Sequence, residues 1–325
     1  MAATGTTPNR TTVEQLIREA AALLERSGVW FGHGSDNAWD EAAELVFYAA
    51  ELRHEDAPAA YRISPTLEQC ARAQALLQQR VRERVPAAYL TQRIWFAGHE
   101  FHVDPRVLVP RSPLAELIQA RFAPWIEAEQ IRSVLDIGTG SACIAIATAL
   151  ALPQAQVDAA DISEPALAVA RINIERHGVG KRVHAIQSDV FNALTGRCYD
   201  VIISNPPYVG AAELGALPSE YGHEPRVGLF GGAAGLDIVK RILSRAHAHL
   251  ASHGLLIVEV GNSEQALLEA FPRVPFTWLE FERGGGGVFL LTAGELRASQ
   301  PMLEHAERGN VVPMPEAARV APTRS

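Results

Sequence analysis

The sequence predicts an α/β protein, in which a doubly wound domain with a largely parallel sheet follows a small helical domain and a β-hairpin linker. From Arg132 onwards, short apolar runs alternate with segments of helical periodicity, which is typical of parallel strands joined by crossover helices. Before residue 93 the apolar residues recur at helical spacing, as at Val13, Leu16 and Ile17. Between these two parts, short alternating runs flank Gly98-His99, which favours a hairpin.

The helical domain is predicted to span residues 11–92 and to follow a disordered leader, residues 1–10. Its second helix follows a loop at residues 31–41 and is expected to be capped by Ser35 or Asp36. A further helix is expected after Ser64-Pro65, because serine suits an N-cap and proline the first helical turn.

The hairpin linker is assigned to residues 93–109 and the α/β domain to residues 110–297. The elements expected in that domain are helix 114–125, strand 132–137, helix 141–150, strand 156–160, helix 163–177, strands 182–187 and 199–204, helix 235–250 and strand 254–260. Two final strands, 277–281 and 288–291, flank a run of glycines and are expected to form an antiparallel hairpin, which gives a mixed seven-stranded sheet. Residues 298–325 are rich in proline, alanine and charge, so a disordered tail is expected.

Composition excludes several classes of protein. The 325 residues carry a net charge of -8, which argues against a protein whose main task is gripping a nucleic-acid backbone. The three cysteines are widely spaced and suggest neither a disulfide framework nor a zinc cluster, so no metal is expected and a cytoplasmic location fits. The N-terminus lacks the apolar core of a secretory signal, and the longest apolar stretch, 142–152, is too short to span a membrane.

The most informative feature is the tetrapeptide Asn205-Pro206-Pro207-Tyr208, which follows the apolar run 201–204. Each proline fixes its own φ and pushes the preceding residue towards an extended backbone, so the carbonyls of this stretch point in fixed directions. Asn205 adds an amide and Tyr208 a flat face. Such a site can hold a planar nitrogen group, although the same residue types also suit a strand-ending turn.

A glycine loop follows the first strand of the α/β domain. The loop comprises Gly138, Thr139, Gly140, Ser141 and Ala142, and it runs from a strand into a helix whose N-terminus offers free N–H groups. Asp161 ends the next strand, where an acid accepts both hydroxyls of a ribose. A glycine loop combined with this acid indicates a nucleotide site, with a purely structural turn as the alternative.

The loop favours S-adenosylmethionine over a dinucleotide. Cys143 occupies the place of the third glycine of a dinucleotide loop, and Asp136 just before the loop would repel a pyrophosphate but suit a cationic amine and a sulfonium. After the third strand, Asp189 offers a carboxylate to an adenine amino group and Val190 an apolar wall, or the pair forms an ordinary turn.

Asp136, Asp161, Asp189 and Asn205 end four successive strands of the predicted sheet. Open α/β sheets bind ligands outside the carboxyl ends of their strands, at the point where the strand order reverses. We therefore expect these four residues to lie along one edge and to form a single site.

With these residues identified, the chain resembles, over roughly residues 12–295, class I S-adenosylmethionine-dependent methyltransferases of the HemK/PrmC/PrmB protein-glutamine family. Asn-Pro-Pro-Tyr is shared more widely with amino-methylating enzymes, including adenine methyltransferases of DNA. Residues 31–41, 109–118 and the glycine hairpin 282–289 resemble the branch that modifies a glutamine of ribosomal large-subunit protein three. One departure is Ala142, where the family usually has glycine; this is tolerable if φ is negative there.

The resemblance implies a methyl transfer to a glutamine side-chain amide, with S-adenosyl-L-homocysteine as the product. Asn205 and the Pro206 carbonyl would accept the two amide N–H groups, Pro207 would stiffen the turn, and Tyr208 would pack on the amide plane. Asn205 would also border the cofactor. The partner would be a ribosomal protein, with no direct nucleic-acid binding and no membrane.

Three alternatives stay open at this point: a release-factor glutamine methyltransferase, which lacks the 31–41 loop, a nucleic-acid adenine methyltransferase, and a non-enzymatic S-adenosylmethionine binder. Residues 220–226 resemble the family's loop over the site, where His223 and Glu224 either touch substrate or belong to a solvated loop. His33 and His99 have no partners at metal-ligand spacing and are expected to be structural.

Overall fold

The computed structural model describes residues 11–307, and these fall into two units. Of the described residues, the first unit comprises residues 11–92 together with a short later segment, Pro218–His223. The second unit comprises Arg93–Leu217 and residues 224–307.

The first unit is helical in the part that the structure describes. Its α-helices are α1 (Val13–Arg26), α2 (Ala38–Ala50), α3 (Ala57–Ala60), α4 (Leu67–Glu83) and α5 (Ala87–Thr91), and its 3-10 helices are His54–Asp56 and Ser219–His223. The apolar faces of α1, α2 and α4 form its core, because the buried residues recur three and four positions apart along each helix.

Side-chain caps decide where these helices begin. Thr12 and Thr66 each form a capping box with the glutamine three residues later, in which both residues satisfy a backbone N–H of the first turn. The expected start at Ser64 is therefore wrong, since Thr66 is the N-cap of α4. The expected cap of α2 is also wrong: Asn37 accepts the Asp40 amide, rather than either of the two residues before it.

The second unit is an α/β structure around a mixed seven-stranded sheet, as the sequence predicts. A separate hairpin, β1 (Arg93–Phe96) and β2 (His99–His102), precedes it. The sheet strands are β3 (Ser133–Ile137), β4 (Gln156–Asp161), β5 (Val183–Gln187), β6 (Tyr199–Ser204), β7 (Leu250–Glu259), β8 (Thr277–Trp278) and β9 (Val288–Thr292). Their order is β5-β4-β3-β6-β7-β9-β8, in which β9 alone runs antiparallel to both its neighbours.

The helices of this unit cover the sheet. They are α6 (Leu114–Gln119), α7 (Cys143–Ala151), α8 (Glu164–Arg176), α9 (Ala211–Leu214), α10 (Arg226–Leu229), α11 (Asp237–Arg245), α12 (Glu264–Ala270) and α13 (Ala293–Glu307), with 3-10 helices at Ala128–Gln130, Ala246–Ala248 and Gly261–Ser263. Among residues 11–307, no helix is both long and apolar enough to cross a membrane.

Three helical expectations for this unit are wrong. The helix predicted over 235–250 ends at Arg245, where the 3-10 helix Ala246–Ala248 leads into β7. The helix predicted over 114–125 ends at Gln119, because Arg121 and Phe122 both take the left-handed backbone that breaks a helix. The tail predicted to be disordered from residue 298 is instead helical to Glu307, within α13, where Leu296 and Leu303 are buried. Residues 1–10 and 308–325 lie outside the described residues.

The strand order reverses between β3 and β6, because β3, β4 and β5 lead to one edge while β6 and β7 lead to the other. All five of these strands are parallel, so their carboxyl ends lie at the same edge of the sheet. This reversal is the place where open α/β sheets form a ligand crevice.

Candidate active site

The four strand-end residues singled out in the sequence lie along that edge of the sheet. Asp136 is the penultimate residue of β3 and Asp161 the last residue of β4, Asp189 lies two residues beyond β5, and Asn205 directly follows β6. The ends of β3 and β6 are joined by the Ser204 hydroxyl, which donates to the Ile137 carbonyl at 2.7 Å.

Asp136 is a fully buried carboxyl in β3. The Thr139 hydroxyl donates to its Oδ2 at 2.5 Å, while Oδ1 is buried without a hydrogen-bond partner in the described part of the chain. Burial raises the pKa of Asp136 to about 7, and the hydrogen bond from Thr139 opposes the rise. A buried acceptor of this kind is costly unless a ligand satisfies it, so Asp136 fits a site for a cationic group.

The glycine loop turns the chain from β3 into α7. Gly138 and Gly140 have φ values of 73° and 55°, which glycine adopts without strain. Ala142 has φ 63°, so the negative φ at which alanine would be tolerable is not found, and the left-handed backbone costs an L-residue about 1–2 kcal/mol. Thr139 and Ser141 have buried side chains. The loop therefore presents mainly backbone at this edge.

Asp161 holds the loop in place from the end of β4. Its Oδ2 accepts the Gly140 amide at 2.9 Å and its Oδ1 accepts the Ser163 amide at 2.8 Å. Burial raises the pKa of Asp161, and these amide donors oppose the rise. Each carboxylate oxygen has a further lone pair, so Asp161 retains the capacity to accept hydroxyl groups.

Asp189 and Val190 occupy the turn beyond β5. Asp189 pairs with Arg241 of α11 at 2.8 Å, a contact that sequence reasoning missed. Val190 has φ 52°, which is unusual for a β-branched residue, and the Ser188 hydroxyl donates to its carbonyl at 2.9 Å. Strained backbone of this type concentrates at functional sites.

The Asn-Pro-Pro-Tyr segment leaves two polar groups available. Within residues 11–307, neither the Asn205 side-chain amide nor the Pro206 carbonyl takes part in a hydrogen bond. Asn205 and Tyr208 are half-buried. The segment lies next to the glycine loop, since a Cβ added to Gly138 would lie 3.9 Å from the Asn205 carbonyl oxygen.

Three glycines that the sequence reasoning did not select hold the second half of this motif. A Cβ added to Gly231 would lie 2.4 Å from the Pro207 carbonyl oxygen, and one added to Gly235 would lie 2.1 Å from the Tyr208 carbonyl oxygen. A Cβ added to Gly261 would lie 2.6 Å from the Tyr208 ring. These distances exclude any side chain, so backbone packs directly on the motif and fixes its position.

Glu259 is a site residue that the sequence reasoning missed. It is the last residue of β7 and only 3% exposed, and burial raises its pKa to about 7. The Ser112 hydroxyl donates to Oε2 at 2.5 Å and the Tyr208 hydroxyl to Oε1 at 3.3 Å. The sequence pattern that identified the other strand-end residues also applies to Glu259, because it is a polar residue at the end of a fifth parallel strand.

Glu224, in the segment after the motif, does not belong to a solvated loop. Glu224 is 4% exposed and accepts two hydrogen bonds from Arg111, at 2.7 and 2.8 Å, and one from the Val109 amide at 2.9 Å. Its carboxylate therefore fixes the 109–113 segment rather than facing a substrate. His223 belongs to the helical unit, where its ring contacts the Glu83 carbonyl at 2.8 Å.

The sheet, its reversal point and the residues at that edge define a class I, Rossmann-like methyltransferase. Residues 120–216 match the family model of the methyltransferase small domain. A ribosomal protein uL3 glutamine methyltransferase of Xylella fastidiosa is 50% identical over 289 residues, covering 88% of this chain and 92% of the relative. The chain thus belongs to the ribosomal protein uL3 glutamine methyltransferase family and is an S-adenosylmethionine-dependent enzyme.

A second relative agrees with this assignment. The ribosomal protein uL3 glutamine methyltransferase of Francisella tularensis is 44% identical over 289 residues, covering 89% of this chain and 92% of the relative. The methyltransferase fold, the family resemblance and the cofactor that the sequence predicts are therefore confirmed.

Proposed function

We propose that this enzyme transfers a methyl group from S-adenosyl-L-methionine to the side-chain amide nitrogen of a glutamine in ribosomal large-subunit protein uL3. The observation that carries the proposal is the pair of unengaged polar groups at Asn205 and Pro206, at the edge of the sheet beside the glycine loop. The two relatives named for this reaction support it. A cytoplasmic location, where ribosomal proteins are made, goes with this substrate.

S-adenosyl-L-methionine, when bound, supplies a methyl group carried on a positively charged sulfur. The buried Oδ1 of Asp136 suits its cationic amine, and Asp161 suits its ribose hydroxyls. The backbone of residues 138–142 would line the rest of the S-adenosyl-L-methionine molecule, and Asp189 and Val190 would contact its adenine. The unsatisfied oxygen of Asp136 is the structural reason for this fit.

The residues of the motif hold the target nitrogen. An amide nitrogen is a poor nucleophile, because its lone pair is delocalised into the carbonyl. The Asn205 side-chain oxygen and the Pro206 carbonyl accept its two N–H groups and orient the lone pair, and Tyr208 packs on the amide plane. Asn205 has no titratable group and so cannot act as a base. The nitrogen loses one proton after it has gained the methyl group and become acidic, and S-adenosyl-L-homocysteine is the other product. Positioning supplies most of the acceleration, a contribution of about 7–11 kcal/mol in well-oriented reactions.

The experiment that tests this proposal supplies the enzyme with S-adenosylmethionine carrying a labelled methyl group and offers three substrates separately: uL3, a peptide release factor and adenine-containing DNA. Label on a glutamine of uL3, located by peptide mass spectrometry, is the expected result. Label only in the release factor or only in DNA would contradict the proposal. Asn205→Ala should abolish transfer while S-adenosylmethionine still binds, as measured by calorimetry.

A further inference from the structure

Glu259 connects two segments of the second unit at the site edge. Its two carboxyl oxygens accept from different hydroxyl groups, Oε1 from Tyr208 of the motif and Oε2 from Ser112 of the 109–113 segment. We propose that Glu259 is a positioning residue for methyl transfer, whose ionised carboxylate fixes the ring of Tyr208 against the target amide. This inference rests on the proposed function, because it assigns Tyr208 a substrate contact.

The ionised form is the one that suits the geometry. A carboxylate accepts on both oxygens, and hydrogen bonds to a charged acceptor are roughly twice as strong as neutral ones. The Ser112 oxygen already accepts the Leu114 amide at 3.2 Å, so its hydrogen is free to point at Glu259. Protonation of Glu259 would leave Tyr208 with a weaker, neutral acceptor and a less firmly held ring.

The ring of Tyr208 is also fixed at its edge. Gly261, two residues beyond Glu259, packs against the ring so closely that there is no room for a Cβ. Gly287 in turn packs on the Gly261 backbone, since a Cβ added to Gly287 would lie 2.2 Å from the Gly261 carbonyl oxygen. The Val260 amide donates to the Gly287 carbonyl at 2.6 Å. The glycine hairpin singled out in the sequence thus supports the strand end that holds Tyr208.

The groups around Glu259 explain why its pKa lies near neutrality, so that both the protonated and the ionised form are populated. Burial is the main cause of its raised pKa, and the two hydroxyl donors and the charge of Arg111 oppose the rise. Arg111 donates to Glu224 and to the Val109 carbonyl, and its positive charge lowers the pKa of Glu259. With a pKa of about 7, a change of pH near neutrality switches the strength of the bond to Tyr208.

The test combines kinetics with a titration. Turnover is measured at saturating S-adenosylmethionine and uL3, between about pH 6 and pH 8, for the wild type, Glu259→Gln, Tyr208→Phe and a control, Glu175→Gln, which removes an exposed charge from α8. We expect wild-type kcat to fall as the pH drops below about 7. In Glu259→Gln and Tyr208→Phe, this fall in kcat at low pH should be absent. Their kcat should be about tenfold lower than that of the wild type, equivalent to about 1.4 kcal/mol, and their KM values should be unchanged. The control should follow the wild type.

The titration of the Glu259 carboxyl is followed by carbon NMR in the wild type and in Tyr208→Phe. Loss of the hydroxyl donor should raise the Glu259 pKa, whichever substrate the enzyme methylates. An unchanged titration in Tyr208→Phe overturns the inference, and so does an acid limb that persists in Glu259→Gln. If the Glu259 pKa rises in Tyr208→Phe but the wild type does not methylate uL3, the proposed substrate is wrong, whereas the hydrogen bond that fixes Tyr208 is supported.

Discussion

Arg80 and Glu41 form a buried ion pair in the helical unit: Nε of Arg80 donates to Oε1 of Glu41 at 2.6 Å, and the two side chains are 0% and 1% exposed. Arg80 also donates to Oε1 of Glu220 at 3.0 Å and to the Trp30 carbonyl at 2.6 Å, and the Trp30 amide donates to Glu220 at 2.9 Å. One guanidinium therefore joins α2, α4, the loop that carries Trp30 and the 218–223 segment that follows the Asn-Pro-Pro-Tyr motif in the chain.

The two carboxyl groups respond differently to this arrangement. Burial raises the pKa of Glu41, and Arg80 offsets only part of the rise. Burial also acts to raise the pKa of Glu220, but the hydrogen bonds from the Trp30 amide and from Arg80 outweigh it and leave the pKa lowered. The cluster thus depends on Arg80 as the shared counter-charge.

Arg80→Ala is expected to lower the free energy of unfolding by about 3–5 kcal/mol, because removing one member of a buried ion cluster leaves the buried carboxylate of Glu41 without its counter-charge. Chemical denaturation followed by circular dichroism measures this change. Arg18→Ala is the matched control, since Arg18 pairs with Glu14 at the surface with its side chain 67% exposed and should change stability little. Equal effects of the two variants would contradict the role assigned to Arg80.

The position of Arg80 was visible in the sequence, although its partners were not. Arg80 lies three residues after Leu77 and seven after Ala73, both buried, so it belongs to the buried face of α4. A cation on an apolar face predicts a buried partner. Glu220 lies 140 residues away, however, and periodicity along the chain carries no information about such a contact.

Substituting alanine for Gly261 should lower kcat by about 100-fold, because the new Cβ would lie 2.6 Å from the ring of Tyr208 and displace it. Gly196→Ala is the matched control. Gly196 also has a positive φ, 78°, but nothing lies within 4 Å of an added Cβ, so this variant acquires backbone strain without displacing a neighbour. Both variants should lose stability, and only Gly261→Ala should lose turnover. Equal activity in the two would show that the ring position is unimportant.

The strand ends were predictable because buried parallel strands are short apolar runs, and a polar residue that ends such a run is conspicuous. The three-dimensional support of the motif was not predictable. Gly231, Gly235 and Gly261 act through close approach of distant backbone, which leaves no local pattern. The helix to Glu307 was missed because the proline-, alanine- and charge-rich composition of residues 298–325 suggested disorder, although Leu296 and Leu303 are spaced to share one helical face.

Asp161→Asn should weaken S-adenosylmethionine binding by about tenfold or more, measured by calorimetry. The variant replaces one acceptor oxygen by an NH2 group, which would face either the Gly140 or the Ser163 amide and leave a donor against a donor. Glu164→Gln removes an exposed carboxylate three residues further along and should bind the cofactor normally. Unchanged binding in Asp161→Asn would contradict the placement of the cofactor at this loop.

The stability of the cofactor-free enzyme should fall as the pH rises through 7, in part because of Asp136. The folded-state pKa of this carboxyl is about 7 against an ordinary value of 3.8, so its contribution to stability is fully present below about pH 4 and is lost as the pH rises through 7. The loss amounts to a few kcal/mol, since each pKa unit corresponds to about 1.4 kcal/mol. Glu259 acts in the same direction, so the comparison must be between variants.

Asp136→Asn isolates this contribution, because asparagine has similar shape and does not titrate. The free energy of unfolding, measured at about pH 5 and pH 8 without cofactor, should fall less in the variant than in the wild type. In the wild type, the affinity for S-adenosylmethionine should increase as Asp136 ionises, because the carboxylate is the counter-charge of the cationic amine. In Asp136→Asn, which cannot ionise, this increase should be absent. A pH dependence of stability identical to that of the wild type would mean that Asp136 is already ionised in the folded protein at pH 5.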